Sequence, residues 1–320
     1  MSAPRIAVLV PCHNEEAAIG GVVAGFRAAL PGAVVYVYDN NSTDRTLAVA
    51  AAAGAVARRE RLQGKGNVVR RMFADVEADA YILVDGDGTY DPAAAPAMLE
   101  LLFGEGLDMV TAARVGEAAA AYRRGHRFGN RVLSGMVRRI FGRGVSDMLS
   151  GYRAFSRRFV KSFPALAHGF EIETELTVHA LELRLPIGEL PAPYGARPPG
   201  SASKLRTLRD GIRIARTILL LVQHERPLPF FGGMAALLLL LAIGIFIPVF
   251  EEYLETGLVR RFPTAILSTG LGLLSFLSLA CGLILDTVTL GRQEAKRIAY
   301  LAIPAALPER VSLAPDTARQ

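Results

Sequence analysis

Tryptophan is absent from all 320 residues, and cysteine occurs only twice, at Cys12 and Cys281. Two thiols, one in the polar part of the chain and one in a long apolar run, make neither a disulfide framework nor a thiolate metal site. The first apolar run ends in "PCHNEE" (11–16), where neither G-x-G-x-x-G nor G-x-x-x-x-G-K-[ST] occurs. A Rossmann dinucleotide fingerprint and a P-loop are thereby excluded. His13, His126, His168 and His179 lack the spacing of a zinc site and read as structural. The net charge is +6, but the basic residues are not interleaved with aromatics. That pattern argues against nucleic acid as a partner and for a face against anionic lipid. Ile6–Val10 is too short for the apolar region of a signal peptide, so none is expected.

Charge is missing altogether from two long stretches: the 23 residues of Leu228–Phe250 and the 22 of Thr264–Leu285. At ~1.5 Å per residue each is long enough for a hydrocarbon core of about 30 Å, which predicts a transmembrane hairpin. Eight basic residues flank it (Arg206, Arg209, Arg213, Arg216, Arg226, Arg292, Lys296, Arg297), against Arg260 and Arg261 in the connecting loop. The positive-inside rule then puts both ends in the cytoplasm, so the expected location is the inner (cytoplasmic) membrane, multi-pass. Just before the first run, Leu205, Leu208, Ile212, Ala215, Leu219 and Val222 recur at helical spacing with arginines opposite. An amphipathic helix of this kind is expected to lie in the membrane interface.

Residues 5–113 alternate β-rich and helical patterns. Strands are expected at Arg5–Val10, Val34–Asp39, Ala55–Arg58, Tyr81–Val84 and Met109–Ala112, with helices at Glu15–Ala29, Asp44–Ala53, Lys65–Glu77 and Pro92–Phe103. This is an α/β class with βαβ units and a mostly parallel sheet, which binds ligands at the carboxyl ends of its strands. Ser42 and Thr43 offer capping oxygens for the second helix. Later come a helix at His126–Phe141, another through 170–182 and a strand near Ile187–Tyr194.

Polar residues stand at three of those strand ends: "PCHNEE" (11–16), "YDNNSTDRT" (38–46) and "DGDGTYD" (85–91), with "QGKGN" (63–67) opening a helix. Asp39 and Asn41 can hydrogen-bond a base or ribose. Asp85 and Asp87, one residue apart, can meet one hard cation, since Mg²⁺ favours one or two carboxylates plus ligand phosphates. An acid/base pair and a plain acidic turn remain alternatives at this point. Asp91, before Pro92, reads as a helix cap.

In this order and spacing the motifs resemble glycosyltransferase family 2 on a GT-A fold. "RFGNRVLSGM", "SDMLSGYRAFSR" and "FEIETEL" sharpen the resemblance to the dolichyl-phosphate-mannose synthase-like, or polyprenyl-phosphate glycosyltransferase, branch. It covers roughly residues 4–225, and the C-terminal hairpin is similar to that of membrane-anchored members. The resemblance implies that Pro11, Asn14, Glu15, Asp39 and Asn41 line the nucleotide pocket with Lys65 nearby. It implies that Asp85 and Asp87 hold Mg²⁺ or Mn²⁺ on the donor pyrophosphate, and that Arg114, Arg127, Arg131, Ser203 and Lys204 lie near the phosphates. Asp87, Asp147 and Arg153 are the implied catalytic residues, and Glu173 falls in a matching stretch. Relatives have D-A-D where this chain has D-G-D-G-T-Y, which leaves Thr89 or Asp91 as substitutes for a third metal-side ligand.

The implied reaction is inverting transfer of a hexose from a nucleotide sugar, UDP- or GDP-linked, to a polyprenyl phosphate. A phosphate acceptor is already anionic, so the site needs arginines more than a general base. The expected organisation is a cytoplasmic catalytic domain at 1–203, a juxtamembrane amphipathic helix at 204–227, the hairpin at 228–290 and a cytoplasmic tail at 291–320. The partners are donor, lipid acceptor and bilayer, and a homo-oligomer is compatible with the sequence. A processive polysaccharide synthase would need a Q-x-x-R-W motif and more spans, and a pyrophosphorylase a G-T-R-L-x-P loop; both are missing. A transferase with another lipid or glycan acceptor, or a non-catalytic membrane adaptor on this fold, are the rival readings.

Overall fold

Alternating apolar residues along the first strand send Val8 and Val10 into one core and Ala7 and Leu9 into another, so the sheet is buried on both faces. The computed structural model describes residues 3–115, 135, 137, 146–167, 169, 171–195, 220 and 223–305. Arg127, Arg131, Ser203 and Lys204 lie outside them, as do the loop and amphipathic helix expected around 196–222, apart from Leu220.

The elements run β1 (Ile6–Cys12), α1 (Glu16–Ala29), β2 (Val34–Asp39), α2 (Thr46–Ala52), β3 (Val56–Arg59), α3 (Lys65–Asp75) and β4 (Ala80–Leu83). A 3₁₀ turn at Pro92–Ala94 leads into α4 (Ala95–Gly104), followed by β5 (Met109–Val115), β6 (Arg153–Ser156) and α5 (Arg157–Ser162). Then come α6 (Ile172–Glu182), β7 (Ile187–Pro193), α7 (Pro227–Thr256) and α8 (Phe262–Leu301). The sheet order is β3-β2-β1-β4-β6-β5-β7. Among the described strands, β6 alone runs antiparallel to its neighbours, β4 and β5. The expected strands are present within a few residues. The strand that sequence patterning missed is β6, whose four residues lie inside the "SDMLSGYRAFSRR" stretch.

Two layers of helices complete the sandwich. Phe26 of α1 and Met98 of α4 pack with Val10, Val37 and Val110 on one side. Met72 and Phe73 of α3, Phe159 of α5 and Leu176 of α6 pack with Leu9, Leu83 and Phe155 on the other. Each large apolar side chain buried this way is worth about 1.5–3 kcal/mol.

The chain divides into two units: residues 1–211 with 296–320, and residues 212–295. The end of α8, which falls in the span expected as a tail at 291–320, therefore belongs to the first unit. There Tyr300 OH donates to Asp108 Oδ2 at 2.7 Å, Lys296 Nζ pairs with Glu182 Oε2 at 2.6 Å, and the Arg158 guanidinium lies 4.7 Å from the Tyr300 ring centre.

Within the second unit α7 and α8 are each long and apolar enough to cross a membrane. Ser268, Ser275 and Ser278 donate to the carbonyls of Ala242, Ala235 and Phe231 at 2.7–3.0 Å. Gly282 sits so close to α7 that a Cβ there would lie 3.0 Å from Phe231 Cβ. Small residues and hydroxyl-to-backbone bonds are how helices associate where no hydrophobic driving force acts between them.

Candidate active site

The carboxyl ends of β1, β2 and β4 bring their turns together. After β1, Asn14 N donates to Ser42 Oγ at 2.8 Å, and Asn14 Oδ1 accepts from Thr43 N at 2.8 Å. Ser42 and Thr43 thus bind the neighbouring turn and do not cap α2. Instead Asp44 Oδ1 accepts from Thr46 N at 3.0 Å. Asn14 and Asn41 both adopt left-handed backbone, φ 53° and 62°, a conformation asparagine tolerates through local hydrogen bonding. Asn41 Nδ2 donates to Arg61 O at 2.9 Å.

Asp39 is fully buried; its carboxylate accepts from Ser42 N at 3.2 Å and faces Arg59 Nε at 3.4 Å. Its neighbour Asn40, which sequence reasoning passed over, anchors the next turn. It donates to Glu60 O and Leu62 O at 3.1 and 2.8 Å and accepts from Gly64 N at 2.7 Å. Gly64 has φ 127°, a glycine conformation, and turns the chain so that α3 begins with Lys65. The signal for Asn40 was present in "DNNSTD", but nothing local says which asparagine faces inward.

Lys65 is drawn into the crevice. Its ammonium donates to both Asp85 Oδ1 and Glu173 Oε1, and its side chain is only 10% exposed. Burial alone would lower the lysine pKa, but the two carboxylates outweigh burial and hold it above the usual range. Pro11, in β1, is buried, whereas Asn14 is exposed and Glu15 half-buried.

Asp85 is about a third exposed, with 33% of its side chain accessible, while Asp87 is buried. Gly86 between them has a steric cause: a Cβ there would come 2.3 Å from Cys12 Sγ. The D-G-D sequence is therefore matched to a cysteine at the end of β1. Burial pushes the Cys12 thiol pKa up, and the carboxylates of Glu15, Asp39, Asp85 and Asp87 add to it. Those four acids, from three strand ends, act on one point.

The departure after the second aspartate is also explained. Thr89 Oγ1 donates to Asp87 Oδ1 at 2.6 Å and Thr89 N to the same oxygen at 3.2 Å, so Thr89 orients Asp87. Tyr90 packs edge-on against Tyr152 and Tyr194, its hydroxyl accepting from Gly151 N at 2.8 Å. Asp91 Oδ1 caps the 3₁₀ turn through Ala93 N at 2.9 Å. Neither Thr89 nor Asp91 is placed as a free third ligand.

On the other side of β4, Arg114 forks Asp147, with Nε and Nη2 at 2.6 and 2.7 Å from its two oxygens. Ser146 N donates to Glu189 Oε1 at 2.6 Å and holds this loop against β7. Arg153 requires a correction. It was expected to contact the reacting groups, yet it is fully buried, and it donates to Ser150 O (3.0 Å), Thr177 Oγ1 (2.8 Å) and Met148 O (2.6 Å). It is an internal brace of the 146–153 loop. Burial lowers its pKa, against the pull of Glu173 and Asp147.

A divalent cation fits this donor set. Asp85 and Asp87 give two hard oxygen ligands, which suits an ion that takes its remaining ligands from phosphates and water. Among the described residues no group of three or more His, Cys, Asp or Glu could make a full protein cage. The Lys65 ammonium on Asp85 is already a stand-in positive charge.

The sequence profile of the family described as Glycosyl transferase family 2 matches residues 7–163. Over 299 residues the chain is 31% identical to Glycosyltransferase AglJ of Haloferax volcanii, covering 92% of this chain and 98% of that protein. The Dolichyl-phosphate hexose transferase of the same organism is 28% identical over 221 residues, 69% of this chain and 95% of that protein. A similar solved structure is glucosyl-3-phosphoglycerate synthase of Mycobacterium tuberculosis with Mn²⁺, uridine-diphosphate-glucose and phosphoglyceric acid. It has a TM-score of 0.56 and 27% identity, over 69% of this chain and 79% of that one. With the profile running from β1 to α5 and the relatives extending beyond it, the chain belongs to glycosyltransferase family 2, a hexosyltransferase on a GT-A fold.

Proposed function

We propose that this enzyme transfers a hexose from a nucleoside-diphosphate sugar to a polyprenyl phosphate at the cytoplasmic face of the inner membrane. The configuration at the anomeric carbon is inverted, and Mg²⁺ or Mn²⁺ is held by Asp85 and Asp87. The observation that carries this reading is how the acids of the crevice are engaged. Asp147 is forked by Arg114, Glu173 holds Lys65, and Asp39 faces Arg59. A hydroxyl acceptor needs a positioned base, whereas a phosphate oxygen is nucleophilic as it stands at pH 7. The two apolar helices α7 and α8 suit an acceptor that resides in lipid. The relative that acts on dolichyl phosphate and the neighbour solved with Mn²⁺ and uridine-diphosphate-glucose support the same chemistry.

In this reading the nucleoside sits over Pro11, Asn14, Glu15, Asp39 and Asn41, where Asp39 and the turn amides around it supply donors and acceptors. An acceptor phosphate oxygen forms the new bond to the anomeric carbon as the bond to the nucleoside diphosphate breaks. Arg114, Arg127, Arg131, Ser203 and Lys204 orient the two phosphate groups, the arginines through their planar forks. When bound, the ion supplies Lewis-acid neutralisation of the charge growing on the leaving diphosphate. Residues 1–203 form the cytoplasmic catalytic domain, 204–227 an interfacial helix and 228–290 the membrane hairpin.

The test is purified protein in detergent with polyprenyl phosphate, Mg²⁺ and a panel of radiolabelled UDP- and GDP-sugars. One donor should give a chloroform-extractable glycolipid, and Asp87→Ala should lower its rate by about a hundredfold or more. No lipid product from any donor would overturn the acceptor, and a fully active Asp87→Ala would overturn the metal site.

A further inference from the structure

The Lys65 ammonium bridges Asp85 and Glu173, the latter 108 residues further along the chain than the lysine, at the point where the proposed cation would bind. Its surroundings are fixed. Gly64 and Asn40 set the start of α3, Glu173 is buried in the first turn of α6, and the Asp85 carboxylate lies against Gly151. A Cβ at 151 would lie 2.3 Å from Asp85 Oδ2, so the carboxylate occupies space that only a glycine leaves open. An ammonium and a divalent ion on one carboxylate repel each other strongly. Either the ammonium leaves or an anion arrives to compensate, and a nucleoside diphosphate brings that charge. Lysine suits the exchange, as a point charge on a flexible stem.

Resting on the metal reading above, we propose that Lys65 is a resident counter-ion of Asp85 in the donor-free enzyme and passes to the donor diphosphate when the divalent ion takes Asp85. Glu173 is the positioning residue that keeps the ammonium within reach of both. Ion loading is then conditional on nucleotide, so the empty crevice does not collect metal. By linkage, metal and nucleotide tighten each other equally.

The experiment measures Mn²⁺ binding to the full-length protein in detergent, by the electron paramagnetic resonance signal of free Mn²⁺, with and without UDP and GDP. Without nucleotide, Lys65→Met should bind Mn²⁺ at least about tenfold tighter than wild type, because a contacting positive charge is gone. Glu173→Gln should bind it more weakly than wild type, because the ammonium is left to Asp85 alone. The enhancement of Mn²⁺ affinity by nucleotide should shrink in Lys65→Met. A merely structural role would move both variants the same way and would leave that enhancement intact. Circular dichroism melts check that each variant is folded, and Lys65→Gln replaces Lys65→Met if the latter is not. If wild type binds Mn²⁺ with nucleotide through Asp85, as loss in Asp85→Asn would show, and Lys65→Met leaves nucleotide-free affinity unchanged, the counter-ion role alone is overturned. If no nucleotide promotes Mn²⁺ binding to wild type, the metal reading falls and the inference with it.

Discussion

The first unit and the charge-free runs of the second solve the problem of buried polarity in opposite ways. In the first unit charges are taken inside and paired: Lys65 with Asp85 and Glu173, Arg114 with Asp147, Lys296 with Glu182. In the second, the run from Leu228 to Phe250 has no charge at all, and serine hydroxyls reach backbone carbonyls across the hairpin. The first unit has water outside and can offset desolvation by collecting many partners around one ion. On the proposed membrane reading the second has lipid outside, where an ion is costly and a hydroxyl has a backbone acceptor nearby. Losing one polar group should therefore matter greatly in the first unit and little in the second.

The largest effect should come from Arg153. Arg153→Met leaves the carbonyls of Ser150 and Met148 and the Thr177 hydroxyl without a guanidinium donor and removes a buried positive charge near Glu173 and Asp147. Breaking such a buried network costs about 3–5 kcal/mol. The calorimetric melting transition of the first unit should therefore shift steeply downward or vanish. A phosphate-contacting arginine would instead lose activity with its melting temperature unchanged. That outcome would restore the contact role expected from the motif.

Acid sensitivity comes next. His179 lies edge-on between Phe159 and Phe163, 5.3 and 5.2 Å between ring centres, with no hydrogen-bond partner on either ring nitrogen among the described residues. Burial, with a smaller push from Lys296, holds its pKa down to about 3. Above the ordinary value near 6.5 both folded and unfolded chains carry it neutral. Below that value the unfolded chain takes up a proton that the folded chain refuses, so stability falls as pH drops from about 6.5 toward 3. At pH 5 the loss is about 2 kcal/mol. Melting curves of wild type and His179→Leu at pH 7.5 and pH 5 should show the acid-induced drop shrinking in the variant. An equal drop in both would mean that other groups cause it.

Much of the first unit could be read from local pattern, and its failures are also physical. Parallel strands alternating with helices send their carboxyl ends to one edge, so Asn14, Asp39, Asp85 and Asp87 could be gathered from order alone. β6 could not. It has four residues, is buried on both faces, and pairs antiparallel with β4 from about seventy positions away, so neither alternation nor spacing marked it. Arg153 was misread for the same reason: a motif gives residue type and place in the chain but not which way a strand faces. Glu173 showed only through its place in the "FEIETEL" stretch, and its tie to Lys65 exists through packing alone. Ser42 and Thr43 looked like caps because their partner, Asn14, lies 28 residues earlier. In the second unit the two helices were evident from composition, whereas the serine contacts needed the register of one helix on the other.

That register supplies the smallest effect. Ser275 Oγ donates to Ala235 O at 2.7 Å, but a helical carbonyl already has its own amide partner, so Ser275→Ala strands no group on α7. The serine hydroxyl can equally bond within its own helix when the hairpin opens. Interhelical bonds of this kind average about 0.6 kcal/mol in membrane proteins. Hydrogen exchange of the α7 amides in detergent should therefore speed up by only about threefold in Ser275→Ala. A cost near the several kcal/mol expected for Arg153→Met would mean that a lone hydroxyl in lipid is as irreplaceable as a buried ion in the sheet. The contrast between the units would then lie in how many such groups each can hold, and no longer in how much each group contributes.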